Sequence, residues 1–373
     1  MNILFKGNFN GMDLNWWCKN SPFQHHAGLL SAYYLYNRTD EYYEKYKFRE
    51  LMQFPKSSLF IIDSGGYELY SPKSKNNTYH NDLLKDLTPQ KVLSIQEAIA
   101  DIGFILDRPP FLDEAHNTTA VFFQEAMRMT AENTKIMIES RDPTKQLKLY
   151  GVLQGQDAAQ LEMWWKTMKI FKGKLDGWAL ASKRSLETTM MYINFLFLYE
   201  INVPVHFLGV GNFNALALII YLLRKDENGV PYFPHLITAD STSYNAGAMY
   251  RKVFGKDPSY CDCPLTELHA LCNSNNGKAG LALSLHNLYY QQNYIQTLTT
   301  LIAEDPKKYI EYVLANANSD AKRDQLSVYF QHIDSLIAKK RPCKKEPGIT
   351  GDIQNQSGIL NSLRPESNLV LAI

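Results

Sequence analysis

The stretch LYGVLQ at residues 149–154, a run of apolar residues that ends in a polar side chain, is typical of a buried strand in a parallel sheet. Five further runs of this kind lie along the chain, with longer helix-like stretches between most of them. They are Ser58–Asp63 (SLFIID), Ile102–Asp107 (IGFILD), Gly177–Leu180 (GWAL), Val205–Gly209 (VHFLG) and Leu236–Asp240 (LITAD). Strands that alternate with helices predict a parallel sheet covered by helices.

Two weaker strand candidates, Ile3–Phe5 and Leu29–Tyr36, would bring the number of strands to eight. Eight strand–helix units close into a (β/α)8 TIM barrel, which is the α/β fold that we predict. A doubly wound open sheet is the alternative that the pattern leaves open. In a TIM barrel the chemistry lies at the C-terminal ends of the strands. Those ends carry Asp63, Asp107, Gln154 and Asp240.

The pattern changes after Cys272. Residues 286–303 and 307–338 look helical and are rich in Tyr and Leu. We therefore predict that the barrel domain covers residues 1–338, with its C-terminal helical part at 286–338. From Lys339 the stretch KKRPCKKEPGITGDIQNQSG is polar and contains Pro and Gly, so residues 339–373 are predicted to be a polar extension.

Composition excludes several classes of protein. The 373 residues are 45% hydrophobic and 12% aromatic, which predicts a globular chain and not a disordered one. The net charge of +1 gives no general basic surface for nucleic acid, so such a partner would need a local patch. The apolar stretch Ala215–Leu223 is far shorter than the ~20 residues that span a bilayer. Charged and polar residues interrupt the early apolar runs, so we expect a cytoplasmic protein without a signal peptide.

The residues at the strand ends each have an ordinary structural alternative. Asp63 precedes Ser-Gly-Gly-Tyr, where glycines let the backbone approach a ligand closely, but a plain strand-to-helix turn gives the same pattern. Asp107 precedes two prolines that stiffen the chain, and it could instead cap a helix or pair with Arg. Gln154 could be a structural amide. Asp240 precedes Ser-Thr-Ser and could simply cap a helix.

The cysteines indicate a metal site. The chain has five, an odd number, and Cys261, Cys263 and Cys272 are clustered, which argues against a disulfide framework. With His286 they supply the Cys3His set of a structural zinc site, at about residues 258–290. His269 is a rival for the fourth position. Three buried cysteines that act as small hydrophobes are the alternative.

Arg251 and Lys252 lie between Asp240 and the cysteine cluster, where a surface that follows a nucleic-acid backbone would be useful. Most surface lysines and arginines are simply solvated, so this assignment depends on where the structure places them.

Taken in order, several segments resemble the tRNA-guanine transglycosylase superfamily. The matching segments cover about two-thirds of the chain, from about residue 58 to 290. They are IIDSGGY, IGFILDRPP, YGVLQGQ, LDGWALAS, VHFLGVGN, ITADSTSYNAG, CDC and SLHNLYY.

The resemblance implies a role for each candidate. It implies a pentosyltransferase that exchanges a guanine for a 7-deazaguanine such as preQ0 through a covalent aspartyl intermediate. Asp240 matches the nucleophile and Asp63 the general acid/base. Asp107 and Gln154 match the residues that bind the guanine edge, Tyr67 the residue that packs against the base, and Leu180 and Ala181 the backbone that lines the pocket. Cys261, Cys263 and His286 match zinc ligands, and Cys272 is the nearest substitute for the third cysteine.

Two departures favour DNA over tRNA as the substrate. Thr266 stands where the bacterial tRNA enzymes have their third cysteine, and Ala181-Ser182 replaces a Gly-Gly pair. The segment HAGLLSAYYLY (residues 26–36) looks more similar to DpdA-type 7-deazaguanine DNA transglycosylases. Exchange in tRNA, a base-releasing hydrolase and a non-catalytic nucleic-acid-binding subunit stay open as alternatives, and so does a homodimer.

Overall fold

The computed structural model describes residues 27–35, 58–70, 87–110, 119–181, 185–241, 252–254, 260–262, 277–339 and 369–372. Its centre is a closed barrel of eight parallel strands. The barrel strands are β1 (Ala27–Ser31), β2 (Leu59–Asp63), β3 (Ile102–Phe104), β4 (Lys148–Gln154), β5 (Gly177–Ala181), β6 (Val205–Phe207), β7 (Ile237–Asp240) and β10 (Leu369–Ala372). A separate antiparallel hairpin pairs β8 (Lys252–Phe254) with β9 (Tyr260–Asp262). The predicted TIM barrel is confirmed.

Helices follow the strands and cover the outside of the barrel. They are α1 (Gly66–Tyr70), α2 (Pro89–Ile99), α3 (Ala120–Ser140), α4 (Ala158–Met168), α5 (Leu186–Leu198), α6 (Phe213–Tyr221), α7 (Gly277–Glu304), α8 (Pro306–Ala315) and α9 (Asp320–Lys339). Within the described ranges, no helix is both long enough and apolar enough to cross a bilayer.

Side-chain caps fix where several of these helices begin. Thr88 accepts a hydrogen bond from the Lys91 amide at 3.2 Å before α2, whose first residue is Pro89. Asn212 caps α6 by accepting from the Asn214 amide at 2.8 Å. Each cap of this kind stabilises a helix by about 1 kcal/mol, so the loops at the barrel mouth end at defined residues.

The two ends of the barrel carry different kinds of carboxylate. At the N-terminal end, Asp101 accepts from the Phe60 amide at 2.8 Å, and Asp176 accepts from the Leu149 amide at 2.9 Å. Asp176 also pairs with Arg141 at 2.8 Å. These carboxylates tie neighbouring strands together. In TIM barrels, residues at the N-terminal end usually stabilise the fold, whereas residues at the C-terminal end usually carry out catalysis.

The eighth strand does not come from the predicted segment. Ile3–Phe5 lies outside the described residues, and of Leu29–Tyr36 only the first part is strand, because β1 ends at Ser31 and a 3-10 turn follows. β10 supplies the eighth strand, pairing with β7 and β1. It lies inside the predicted polar extension, so the predicted limit of the barrel domain at residue 338 is wrong. The run LVLA pairs with a strand on each side, and this pairing closes the barrel and leaves no sheet edge.

The C-terminal helical part is present but divided differently. α7 begins at Gly277, before the predicted start at His286, and the predicted second helix is two helices, α8 and α9. The break comes after Ala315, where Asn316 caps the end of α8. α7 and α9 pack against α6, so this part forms an outer layer on one side of the barrel.

Candidate active site

The strand-end residues that the sequence singles out lie at one mouth of the barrel. Asp63 is the last residue of β2, Gln154 the last of β4 and Asp240 the last of β7, and Asp107 lies three residues beyond β3. Because the strands are parallel, their C-terminal ends meet at the same end of the barrel. The structure therefore brings these four predicted residues together.

Asp107 and Gln154 form a buried hydrogen-bonded pair. The Gln154 Nε2 donates to Asp107 Oδ2 at 2.7 Å, and the Ser64 hydroxyl donates to Asp107 Oδ1 at 3.2 Å. Only 6% of the Asp107 surface and 4% of the Gln154 surface is exposed. Burial raises the pKa of Asp107 to about 6, although the hydrogen bonds from Gln154 and Ser64 oppose this. At neutral pH Asp107 is therefore mostly ionised and able to accept hydrogen bonds.

Asp63 lies among other carboxyl groups. Burial raises the pKa of Asp63 well above its usual range, and the negative charges of Glu68, Asp107 and Asp240 raise it further. The Gly65 amide donates to Asp63 Oδ2 at 3.2 Å and acts in the opposite direction. A carboxyl group with a raised pKa can hold a proton near neutral pH, which is what a general acid requires.

The glycines after Asp63 are required by close contacts. Gly65 has φ of +82°, and a side chain there would meet Tyr33 and Ser31. A Cβ on Gly66 would come within 2.2 Å of the Asp107 carbonyl oxygen. The Gly-Gly pair therefore lets the turn after β2 lie directly against Asp107.

Asp240 is held by two donors on β6 and the loop that follows it. The Gly209 amide donates to Asp240 Oδ1 at 2.6 Å, and the His206 Nε2 lies 3.1 Å from the same oxygen. The Asp240 side chain is 15% exposed and the His206 side chain is fully buried. The charge of Asp240 also raises the pKa of Asp63, so the two carboxyl groups act on each other across the mouth.

The other predicted pocket residues lie on α1 and at the end of β5. Tyr67 lies on α1 and is 61% exposed beside the site. Leu180 and Ala181 are buried at the end of β5. Their carbonyl oxygens already accept hydrogen bonds, from the Leu208 amide at 3.1 Å and from the Tyr192 hydroxyl at 2.8 Å.

A cavity opens between β5, β6 and the first turns of α5 and α6. Leu180 lines it together with Thr188, Leu208 and Asn212. Asp63, Asp107, Gln154 and Asp240 are not among its lining residues, so the cavity adjoins the candidate site from the side of Leu180.

Only part of the predicted zinc set falls within the described structure. Cys263, Cys272 and the rival His269 lie outside the described residues, and of Cys261 the backbone alone is described, on β9. His286 lies on α7, and its Nε2 donates to the Phe254 carbonyl at 3.3 Å. In the described part of the chain, no three metal-ligating side chains come together.

The predicted nucleic-acid contacts are largely beyond the described residues. Arg251 lies outside them, and Lys252 is described by its backbone alone, as the first residue of β8. β8 packs against α7. Both assignments stay predictions.

Four residues of the site were not predicted from the sequence: Ser64, Glu68, His206 and Gly209. His206 had the clearest available signal, since an imidazole within the apolar strand run VHFLG must find hydrogen-bond partners once it is buried. Glu68 lies on α1, and its signal in the sequence is an acidic residue directly after the DSGGY motif.

Comparison with known proteins identifies the family. The family model described as queuine tRNA-ribosyltransferase matches residues 19–222, which is more than half of the chain. A comparison with curated proteins gave no match. The matched range includes Asp63, Asp107, Gln154 and the Leu180–Ala181 pair, and it ends before Asp240. This chain therefore belongs to the tRNA-guanine transglycosylase superfamily, a family of pentosyltransferases that act on nucleic acids.

Proposed function

We propose that the protein exchanges a guanine in DNA for a 7-deazaguanine of the preQ0 type, with Asp240 as the nucleophile and Asp63 as the general acid/base. One observation carries this proposal: Asp63 and Asp240 end two strands at the same barrel mouth and influence each other electrostatically, beside the buried Asp107–Gln154 pair. One carboxyl group can attack a sugar while the other moves protons.

The Asp107–Gln154 pair suits the edge of guanine. An ionised Asp107 accepts hydrogen bonds from the N1–H and the 2-amino group, and the Gln154 amide donates to O6. In the free protein Gln154 donates to Asp107 instead, so both groups are already held within 2.7 Å of each other. A base with the wrong edge would break the Gln154–Asp107 hydrogen bond without replacing it, which costs about 1–3 kcal/mol for each buried group left unpaired.

The reaction has two displacement steps. The target nucleoside is flipped out of the nucleic acid, because a stacked base cannot reach a buried site. Asp240 then attacks C1′ as the C1′–N9 bond breaks, and Asp63 gives its proton to the departing guanine. In the second step, N9 of the incoming 7-deazaguanine attacks C1′, the bond to Asp240 breaks, and Asp63 takes the N9 proton.

The choice of DNA depends on the departures from the tRNA enzymes. Ala181-Ser182 replaces a Gly-Gly pair at the end of β5, and Thr266 stands at the position of the third cysteine. Ala181 is buried at the end of β5, so its methyl group occupies space there that a glycine would leave open. The segment HAGLLSAYYLY, which includes β1, supports the DpdA-type relation.

The substrate is tested by base displacement. Purified protein is incubated with preQ0 and with either DNA or tRNA that carries labelled guanine, and both released guanine and incorporated 7-deazaguanine are measured. We expect release from DNA that depends on preQ0, with matching incorporation. Exchange in tRNA alone would overturn the choice of DNA, and release without incorporation would indicate a hydrolase. No reaction with either nucleic acid would overturn the proposed function.

We further propose that Cys261, Cys263, Cys272 and His286 hold a structural zinc ion. The hydrogen bond from His286 Nε2 to the Phe254 carbonyl leaves Nδ1 as the ligand atom, the usual arrangement of a zinc-bound histidine. Phe254 lies on β8, and β8 pairs with the strand that carries Cys261. A site with four protein ligands leaves no position for water, so zinc would stabilise this segment and take no part in the chemistry.

Metal analysis tests the zinc proposal. We expect about one zinc per chain, the stoichiometry of one closed site. Cys263→Ser should lower the zinc content, whereas Cys343→Ser, a cysteine outside the proposed set, should leave it at the wild-type value. Absence of zinc from the purified wild-type protein, or equal content in both variants, would contradict the proposal.

A further inference from the structure

His206 is a fully buried histidine whose two ring nitrogens both have partners. Its Nδ1 lies 2.7 Å from the Thr238 hydroxyl, and its Nε2 lies 3.1 Å from Asp240 Oδ1. The ring of Phe104 packs against it, with the ring centroids 4.8 Å apart. Filling this volume would need only an apolar ring, so the two hydrogen bonds are what distinguish histidine here.

The partners determine which nitrogen carries a proton. An ionised Asp240 can only accept, so Nε2 must donate to it. The Thr238 hydroxyl has two possible acceptors, the His206 Nδ1 at 2.7 Å and the Val205 carbonyl at 3.4 Å. Donation over the shorter distance leaves the imidazole neutral, with its single proton on Nε2. Thr238 thereby orients the ring towards Asp240.

The two described donors to Asp240 reach the same oxygen. The Gly209 amide and the His206 Nε2 donate to Oδ1. Within the described residues, no hydrogen bond to Oδ2 is present. These two donors therefore hold the carboxylate through Oδ1.

We propose that His206 is a positioning residue for the nucleophile: it holds Asp240 Oδ1 so that Oδ2 attacks C1′, and it stabilises the carboxylate when that bond later breaks. The inference rests on the proposed function and assigns a residue to its second step. In the first step the Oδ2–C1′ bond forms, the C1′–N9 bond breaks, and the electron pair goes to guanine N9, which Asp63 protonates.

The hydrogen bond from His206 contributes most in the second step. The incoming base attacks C1′, the Oδ2–C1′ bond breaks, and its electron pair returns to the carboxylate as negative charge shared with Oδ1. Hydrogen bonds to a developing negative charge are stronger than those to the neutral ester oxygen that preceded it. Loss of the His206 donor should therefore slow the second step more than the first, so the covalent adduct should accumulate.

The experiment compares His206→Phe, His206→Gln and His206→Asn. Phe fills the volume without a donor, and the Gln amide can reach the Nε2 position, whereas the shorter Asn amide cannot. We expect His206→Phe to lower kcat by about 10- to 100-fold, the effect of losing a hydrogen bond to a charged group, with little change in KM for the base. We expect a larger trapped fraction of adduct in His206→Phe, and His206→Gln should recover activity relative to His206→Asn.

His332→Phe is the matched control, because His332 bonds Asn194 on the outside of the barrel at 2.7 Å. It should leave kcat and the adduct fraction unchanged. Equal rates for His206→Gln and His206→Asn would overturn the proposal. A change in KM without accumulation of the adduct in His206→Phe would overturn it as well. If His206→Phe does not fold, the comparison of Gln with Asn decides.

A measurement without activity separates this inference from the proposed function. In wild-type protein labelled with 15N-histidine, the His206 Nε2 should carry a proton at pH 7, and Asp240→Ala should shift its resonance. An unprotonated Nε2 would overturn the role of His206 even if the enzyme exchanges guanine. A protonated Nε2 that responds to Asp240, in a protein that exchanges no base, would support the pairing and overturn the proposed function alone.

Discussion

Asp240→Asn is expected to lower guanine exchange by about 10⁴-fold or more, the scale seen when a covalent nucleophile is removed. An amide keeps the shape of the carboxylate, and its oxygen can still accept from the Gly209 amide, as Asp240 Oδ1 does at 2.6 Å. The loss would therefore reflect the missing nucleophile and not a collapsed site. The measurement is kcat for release of labelled guanine, together with the yield of trapped adduct.

Asp176→Asn provides the matched control for Asp240→Asn. Asp176 is also an aspartate next to a barrel strand, but it lies at the N-terminal end, where it accepts from the Leu149 amide and pairs with Arg141. Its replacement should lower the melting temperature and leave kcat close to the wild-type value. Guanine exchange that survives in Asp240→Asn would remove Asp240 from the role of nucleophile.

Asp63→Asn is expected to lower exchange by about 10²- to 10⁴-fold, the usual contribution of a general acid/base. Because burial and neighbouring charges raise the pKa of Asp63, its protonated form persists towards neutral pH. The wild-type rate of the first step should fall as the pH rises through this pKa, since the general acid is then lost. In Asp63→Asn that dependence on pH should disappear.

Glu68→Gln tests the physical cause of this pH profile. Burial is the largest cause of the raised pKa of Asp63, and the charge of Glu68 is the next. Removing that charge while keeping the side-chain volume should lower the pKa of Asp63, so the fall in rate should begin at a lower pH. A profile that does not move in Glu68→Gln and that persists in Asp63→Asn would assign the titration to another group.

The sequence predicts the central strands of the fold well because their signals are local. The runs before Asp63, Gln154 and Asp240 are apolar on both faces, as strands between a barrel interior and outer helices must be. β10 was not predicted because four apolar residues after a long polar segment carry no periodic signal. Its pairing with β7 and β1 depends on closing the barrel, which is a property of the whole fold.

In the site too, residues with a local sequence signal could be predicted, whereas contacts between residues far apart in the sequence could not. Asp63, Asp107, Gln154 and Asp240 could be predicted because strand ends in a barrel share one mouth, and their order resembles a known family. The partners of Asp240 could not, because His206 and Gly209 are 34 and 31 residues away in sequence and meet it only when β6 and β7 pair.

The proposed chemistry is tested most directly by identifying the residue that carries the sugar. The wild-type protein is mixed with the nucleic acid in which it exchanges guanine, and the mixture is quenched in acid before any free base is added. The protein is then digested for peptide mass spectrometry. We predict a pentose on the peptide that contains Asp240, with fragment ions that place it on that residue. A pentose on any other residue would contradict the proposed chemistry, as would exchange that proceeds without any modified peptide.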